Sequence, residues 1–508
     1  MFIGVDIGTT STKAVLYHQS GAVIAVHHVE YSLLTPVPDV AEQRPDDILE
    51  AVIETIGQVS PDNGEAVQFV SFSSAMHSLI VMDAEHQPLT NSITWADNRS
   101  QAYAKELRMT NRGQQIYDRT GTPIHAMSPL CKLIWLKHEA PEIFNHAAKF
   151  IGIKEYVFQR FFGQYVIDYS LASATGLFNI HELRFDAEIL NELGIEKQQL
   201  SRAVDTTFIL RGLDDSIAAR MKLDPMTPFV IGASDGVLSN LGVDAFRPGE
   251  VAVTIGTSGA IRTVVDAPRT DHEGRLFCYA LTKDKWVIGG PVNNGGVVLR
   301  WVRDELAASD TEEAKRLGID SYDVLMGLAE QVPAGSSGLI FHPYLSGERA
   351  PLWNSDVRGS YIGLTLAHRK EHMIRAALEG ILYNLYTVYR ALTVLMDEPV
   401  TSVKATGGFA RSKLWRQMMA DIFDEKLIVP ASHESSCLGA VILGQVAIGE
   451  KADFSHVSDW VGHSFCHIPE DEQVSIYREI MPLYMDTVQS LTEQYSRIAD
   501  FQRKYNSL

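Results

Sequence analysis

The sequence predicts an α/β protein of packed layers, assembled from two related halves, and three observations predict it. Short strand patterns bounded by Gly or Asn alternate with amphipathic helical patterns along the whole chain. At 508 residues the chain is longer than one hydrophobic core organises. The stretch Val5-Asp6-Ile7-Gly8-Thr9-Thr10 returns, 248 residues later, as Val253-Thr254-Ile255-Gly256-Thr257-Ser258. A repeat at half the chain length is no solenoid; it suggests two domains that open on the same hairpin, although short Gly-Thr turns between strands also recur by coincidence. The turn Arg247-Pro248-Gly249 sets the boundary, giving domains 1–247 and 248–508, the second closing on C-terminal helices.

In chain order, strands are predicted at 2–6, 14–17, 67–73, 79–82, 229–231, 251–255, 286–288 and 403–405. Helices are predicted at 46–56, 100–107, 129–138, 297–306, 370–395 and 412–423. The most apolar helical stretch, 376–396, carries Glu379 and Arg390, which makes it a core helix and not a membrane span. Hydrophobic content of 45% and charged content of 21% are those of a globular protein. The net charge of −19 argues against nucleic acid or an anionic membrane as partner, since both need a basic face. Any anionic ligand must then be held by a local positive site. Cys131, Cys278, Cys437 and Cys466 are far apart and form no CxxC, so neither a zinc site nor a disulfide framework is expected. Reduced thiols, and a first strand with no basic leader before it, fit a cytoplasmic protein.

The two hairpins carry the first chemical signal. A tight strand-Gly-Thr-Thr-strand turn exposes backbone N–H groups in a concave nest beside hydroxyl donors, which is a phosphate cradle. The Walker pattern GxxxxGK[ST] is absent, so this cradle is the alternative to it. Gly8, Thr9 and Thr10 in the first hairpin and Gly256 and Thr257 in the second are the candidate phosphate contacts, with Lys13 adding a cation. Asp6 ends the first strand, where a nucleotide triphosphate arriving with Mg²⁺ would meet a carboxylate oxygen. An Asp there also caps its own turn, so both roles stand open. Thr254 occupies the equivalent place in the repeat. A third turn, Thr406-Gly407-Gly408-Phe409, lies between a strand and a helix, where two glycines would let a nucleotide approach the backbone.

Gly232-Ala233-Ser234-Asp235-Gly236 has two readings. It matches G-x-S-x-G, the nucleophile elbow of a hydrolase, with Ser234 as the nucleophile. Alternatively Asp235 is the working residue, a base for a hydroxyl that attacks a γ-phosphate. The hydrolase reading leaves both hairpins unexplained, so Asp235 is favoured. His368-Arg369-Lys370-Glu371-His372 fits H-x-x-E-H, but it sits among charges at the start of an amphipathic helix. Met76-His77-Ser78 falls where one strand stops and the next starts. Trp95, Asp97, Asn98 and Arg99 gather just before a helix, a combination that binds a polyol and that equally caps the helix.

With those residues set out, the chain resembles the FGGY family of carbohydrate kinases over nearly its whole length. "MSPLCKLIWLKHE" (127–139), with Pro129, Lys132 and Trp135, is similar to one family signature, and "GSYIGLTLAHRKEHMIRAALEG" (359–380) to the other. "SGERAPLWNSDVRG" (346–359) and "ESSCLGAVILG" (434–444) are also family-like. The second signature absorbs the H-x-x-E-H match. The resemblance implies two actin-like, hexokinase-like (ribonuclease H-like) domains around a catalytic cleft that closes on its ligands. It implies ATP and Mg²⁺ as cosubstrate and metal, and a sugar, polyol or sugar-acid hydroxyl as phosphoryl acceptor. By the same resemblance Asp6 belongs to the metal region, and Thr9, Thr10, Lys13 and Thr257 to phosphate. Gly296, Gly407 and Gly408 fall at nucleotide positions, Asp235 at the catalytic base and Met76-His77 at the substrate. Within the family, "SFSSAMHS", "TWADNRS", "RTGTPIHAMSPL" and "GASDGVLSNLGV" look most like the gluconokinases. For a sugar acid, the carboxylate contact is expected from His77, with Arg99 and Lys154 as further candidates. The runner-up within the family is a xylulokinase or another pentose or polyol kinase. Outside it stands a nucleotide-driven switch protein of the actin or chaperone type. The expected partner is a small sugar acid, and a homodimer is compatible with the sequence.

Overall fold

The computed structural model describes residues 1–62, 65–431 and 434–505, and every structural statement concerns those. The chain divides into two compact units, each drawing on three segments. The first comprises Met1–Phe246, Val264–Ile288 and Glu434–Gly462; the second comprises Arg247–Thr263, Gly289–His433 and His463–Leu508.

In the first unit, the described residues form a six-stranded sheet in the order Ile209–Leu210, Phe229–Ser234, Phe69–Ser74, Phe2–Ile7, Ser11–Tyr17, Val23–Glu30. Phe2–Ile7 and Ser11–Tyr17 pair antiparallel as a hairpin, with Asp6 opposite Lys13. Phe2–Ile7, Phe69–Ser74 and Phe229–Ser234 run parallel, so their C-terminal ends share one edge of the sheet. That edge is where ligands bind in open α/β sheets. The helix Pro45–Val59 covers one face. Its Ile48, Val52, Ile56 and Val59 recur at helical spacing and are buried, Pro45 opens it, and Asp46 and Asp47 favour its first turn. The helix Ser435–Ala447 packs with Phe2, Phe69 and Leu238 in another apolar cluster.

The second unit repeats the same local topology. Glu250–Ile255 pairs antiparallel with Gly259–Val265 and parallel with Ser402–Thr406, which pairs parallel with Leu427–Pro430. His463–His467 adds an antiparallel edge. The buried helix Lys370–Leu395 follows its predicted limits. The predicted helix at 297–306 is instead an α-helical segment, Gly296–Trp301, continued by a π-helical one, Val302–Leu306. Among the described residues no helix is long and apolar enough to cross a membrane.

Candidate active site

The first hairpin is closed by its own backbone and braced from outside. Gly8 N–H donates to the Ser11 carbonyl at 2.9 Å, and a Cβ on Gly8 would meet that same oxygen at 2.9 Å. The Tyr31 hydroxyl donates to the Gly8 carbonyl at 2.6 Å, and Tyr31 N–H to the Thr10 carbonyl at 3.0 Å. The Trp95 indole donates to Thr9 Oγ1 at 2.8 Å, and Gln43 Nε2 donates to the Thr9 carbonyl. Trp95 is thereby drawn to the hairpin expected to hold phosphate. Thr10 itself is exposed.

Asp6 sits at the end of its strand and accepts from Ser73 Oγ at 2.7 Å. Burial raises its carboxyl above the ordinary range, while the Ser73 bond and the Lys13 charge act the other way. A carboxylate whose anionic form is penalised in this way is one that a divalent cation would relieve, so the residue fits the expected metal. Lys13 pairs with Glu434 at 2.8 Å. Burial works most strongly against its charge, but the Glu434 bond and the nearby Glu434, Cys437 and Asp6 together outweigh it and leave the ammonium above its usual value.

Asp235 and the Met76-His77 pair follow from the sheet. Phe69–Ser74 ends beside Phe2–Ile7 and Phe229–Ser234 beside Phe69–Ser74, and each delivers its next residues to the same edge as Asp6. Asp235 opens the helix Asp235–Gly242, and its Oδ1 accepts from Gly236 N–H at 2.6 Å. Gly232 has φ of +71°, and a Cβ there would lie 1.7 Å from the Phe72 carbonyl. Only glycine makes the irregularity between Val230 and Ala233 that leads into Asp235. Ser234 is fully buried and hydrogen-bonded to Ser170 Oγ at 2.9 Å, so it is no exposed nucleophile. Met76 packs partly buried against two apolar clusters. His77 is buried, with Nδ1 2.8 Å from the Ala174 carbonyl.

Three expected sugar contacts have partners within the protein. Lys154 is buried, pairs with Asp168 at 2.6 Å, and donates to the Ile231 and Ala233 carbonyls at 2.9 and 3.4 Å. Two of its contacts thus hold the strand that leads to Asp235 and the third goes to Asp168. Asp97 accepts from Ala41 N–H at 3.0 Å and from the Arg99 guanidinium. Arg99 also pairs with Glu42 and lies 4.5 Å over the Trp135 ring. Two carboxylates neutralise it. Asp97 does not cap the helix, which starts at Gln101 with Ser100 before it. Among the described residues, no cluster of three or more His, Cys, Asp or Glu is placed to hold a metal, and His368 bonds to Thr365 instead.

The second unit contains a cavity of about 280 Å³ whose wall includes Gly256, Thr257, Gly296 and Gly408, four of the residues expected at the nucleotide. Gly296 N–H donates to the Gly256 carbonyl at 2.7 Å and Val297 N–H to the Thr257 carbonyl at 3.0 Å, which fastens the second hairpin to a helix start. Gly407 has φ of +103°, and a Cβ there would lie 2.2 Å from the Ile255 carbonyl. A Cβ on Gly408 would point into open space, so a side chain there would take up room a ligand uses. Tyr322, Met326 and Trp415 supply apolar wall, and Asp320, Arg300 and Arg411 supply charge. Size, apolar lining and a few polar groups fit a nucleotide. The sequence reading missed these wall residues, as it missed Tyr31, Ser73 and Glu434.

Two units with the same hairpin, one bearing paired parallel strand ends with carboxylates and the other a glycine-lined cavity, define a sugar-kinase class of protein. Residues 1–242 match the N-terminal domain and 251–448 the C-terminal domain of the FGGY family of carbohydrate kinases. The chain belongs to that family, a family of ATP-dependent phosphotransferases. It is 57% identical over 502 residues to the gluconokinase of Bacillus subtilis (strain 168), covering 99% of this chain and 98% of that one. The gluconate kinase of Lactobacillus acidophilus superposes with a TM-score of 0.94 at 38% identity, over 98% of this chain and 99% of its own. A ligand-bound xylulose kinase of Lactobacillus acidophilus gives the same TM-score, identity and coverage.

Proposed function

We propose that this chain transfers the γ-phosphoryl group of ATP to the C6 hydroxyl of D-gluconate, forming 6-phosphogluconate. The observation that carries the choice of gluconate is the 57% identity to a gluconokinase along nearly the whole chain. The structures at 38% include both a gluconate and a xylulose kinase and do not separate the two acceptors.

Asp235 is the general base in this reading. It orients the acceptor hydroxyl and takes its proton as the oxygen attacks phosphorus in line. Thr9 and Thr10 donate to the transferring phosphoryl oxygens, Gly8 lets the backbone of the turn come close to them, and Lys13 offsets their charge. Gly256, Thr257, Gly296, Gly407 and Gly408 hold the nucleotide. Asp6 holds Mg²⁺, directly or through water, and the ion, when bound, neutralises phosphate charge. Met76, His77 and Trp95 contact the sugar acid. With Arg99 and Lys154 committed to internal ion pairs, His77 is the remaining candidate of the three for the carboxylate. In this division of labour the acceptor, the first phosphate hairpin and the base belong to residues 1–247, and the nucleotide-binding residues to 248–508. Cytoplasmic location and a homodimer complete the proposal.

The test is product identification. The purified protein with ATP, Mg²⁺ and gluconate should yield a species with the mass and ³¹P signature of a 6-phosphate monoester of gluconate. ADP release without such a product would contradict the reading.

A further inference from the structure

One buried lysine joins the two segments that bear the expected sugar contacts. Lys132, on the helix Pro129–Glu139, has no exposed surface. Its Nζ donates to the His77 carbonyl at 2.5 Å and to the Ile93 carbonyl at 3.3 Å. His77 has φ of +69°, a left-handed conformation that a residue with a large side chain holds only when its surroundings impose it. Ile93 ends the short strand Ser92–Ile93, and two residues further on Trp95 reaches Thr9. Leu79 and Ile93 exchange backbone hydrogen bonds of 3.0 and 2.9 Å, which sets the spacing of the two segments. That ladder stops short of the His77 turn. The lysine ties the backbone of that turn to the Ile93 strand, while the His77 ring rests on the Ala174 carbonyl.

The position is a costly one for a cation. Burial pushes the Lys132 ammonium down to about 7, with the Asp97 charge partly opposing. On the same helix Cys131, Leu133 and Leu136 are buried apolar side chains of one core cluster. An apolar residue would fill such a site without that penalty; what it could not do is donate to two carbonyls on different segments.

We propose that Lys132 is a positioning residue for the acceptor pocket. By holding the His77 and Ile93 carbonyls it aims the His77 and Trp95 side chains, and so sets affinity and selectivity for the sugar acid without touching it. This rests on the reading that His77 and Trp95 face the acceptor.

Lys132→Met keeps the length of the side chain and removes its donors. It should raise the KM for gluconate at least tenfold, leave the KM for ATP within twofold, and narrow the preference for gluconate over glucitol. Lys132→Gln, with donor hydrogens on a shorter stem, should fall between the two. A role in packing alone predicts unchanged KM values for both substrates and activity reduced only with the folded fraction, and that result would overturn the inference. His77→Ala separates the two layers of the argument. If it raises the KM for gluconate while Lys132→Met does not, the inference falls and the reading of His77 stands. If neither variant moves that KM, both fall. Failure of both Lys132 variants to fold would also count against a positioning role.

Discussion

The Lys13 ammonium lies 2.8 Å from the Glu434 carboxylate, and the two side chains remain 35% and 31% exposed. They are 421 residues apart in sequence and belong to one compact unit. Glu434 precedes the helix Ser435–Ala447 yet makes no side-chain cap to it; its carboxylate turns to Lys13 instead. The cation expected to meet phosphate is therefore already neutralised before nucleotide arrives. Half-exposed pairs of this kind are worth about 0.2–1 kcal/mol. Glu434→Gln should accordingly tighten binding of a nonhydrolysable ATP analogue by roughly 1.5- to 5-fold in calorimetry. Weaker binding in the variant would show that Glu434 helps to hold the nucleotide and its metal.

Asp235→Asn keeps the shape of the side chain and removes the base. Turnover should fall at least ~10²-fold, the lower end of what general-base removal costs, with ATP affinity nearly unchanged. Ser234→Ala should stay within a few-fold of wild type, because Ser234 is buried against Ser170. The reverse pattern in steady-state kinetics would restore the hydrolase reading.

The two hairpins should respond differently to substitution. Gly8→Val places a branched Cβ against the Ser11 carbonyl, at 2.9 Å, and should abolish most activity by opening the turn. Thr257→Val removes one hydroxyl from the cavity wall and should raise the KM for ATP by about tenfold, the worth of one hydrogen bond to a charged group. Wild-type kinetics in both variants would reduce the repeat to a folding element.

Stability should carry a pH signature from Glu155. Burial raises its carboxyl from the ordinary 4.5 to about 8, beside Ser201, Gly152, Asp168 and Lys154. Between those values the folded protein keeps a proton that the unfolded chain has lost. The contribution of this group is thus complete below about pH 4.5 and declines until about pH 8. Glu155→Gln should flatten that decline in denaturant midpoints measured from pH 5 to pH 9. An unchanged slope would mean that Glu155 is ionised in the fold.

Much of this was legible in the sequence, for reasons that differ by residue. Phe2–Ile7 and Glu250–Ile255 were readable because strand alternation and glycine turns are local signals, whereas the parallel pairing that brings the segments of Asp6, His77 and Asp235 to one sheet edge joins strands far apart in the chain. Lys154 stood only as a weaker carboxylate candidate, because nothing in "GIKEY" reveals its bonds to Asp168 and to carbonyls 77 and 79 residues away. The Arg99 ion pair was hidden for the same reason, its partner Glu42 lying in a stretch with no motif. Tyr31 follows the mostly exposed strand Val23–Glu30, and its brace on Gly8 depends on a register no local pattern encodes. The cavity wall at Asp320 and Tyr322 reads in sequence as an ordinary helix start, and Asp320 does cap that helix. Chemistry carried by backbone turns was visible, and chemistry carried by long-range pairing was not.

The most direct test compares kcat/KM for gluconate and for its uncharged reduced analogue glucitol, with xylulose as a third acceptor. The chain carries a net charge of −19, so long-range electrostatics oppose an anionic substrate and any preference for it must arise from a local contact. A charged hydrogen bond contributes roughly 1.5–3 kcal/mol, which predicts a preference for gluconate of about ten- to a hundredfold. Equal or better turnover of glucitol or xylulose by the wild-type protein would contradict the gluconate assignment.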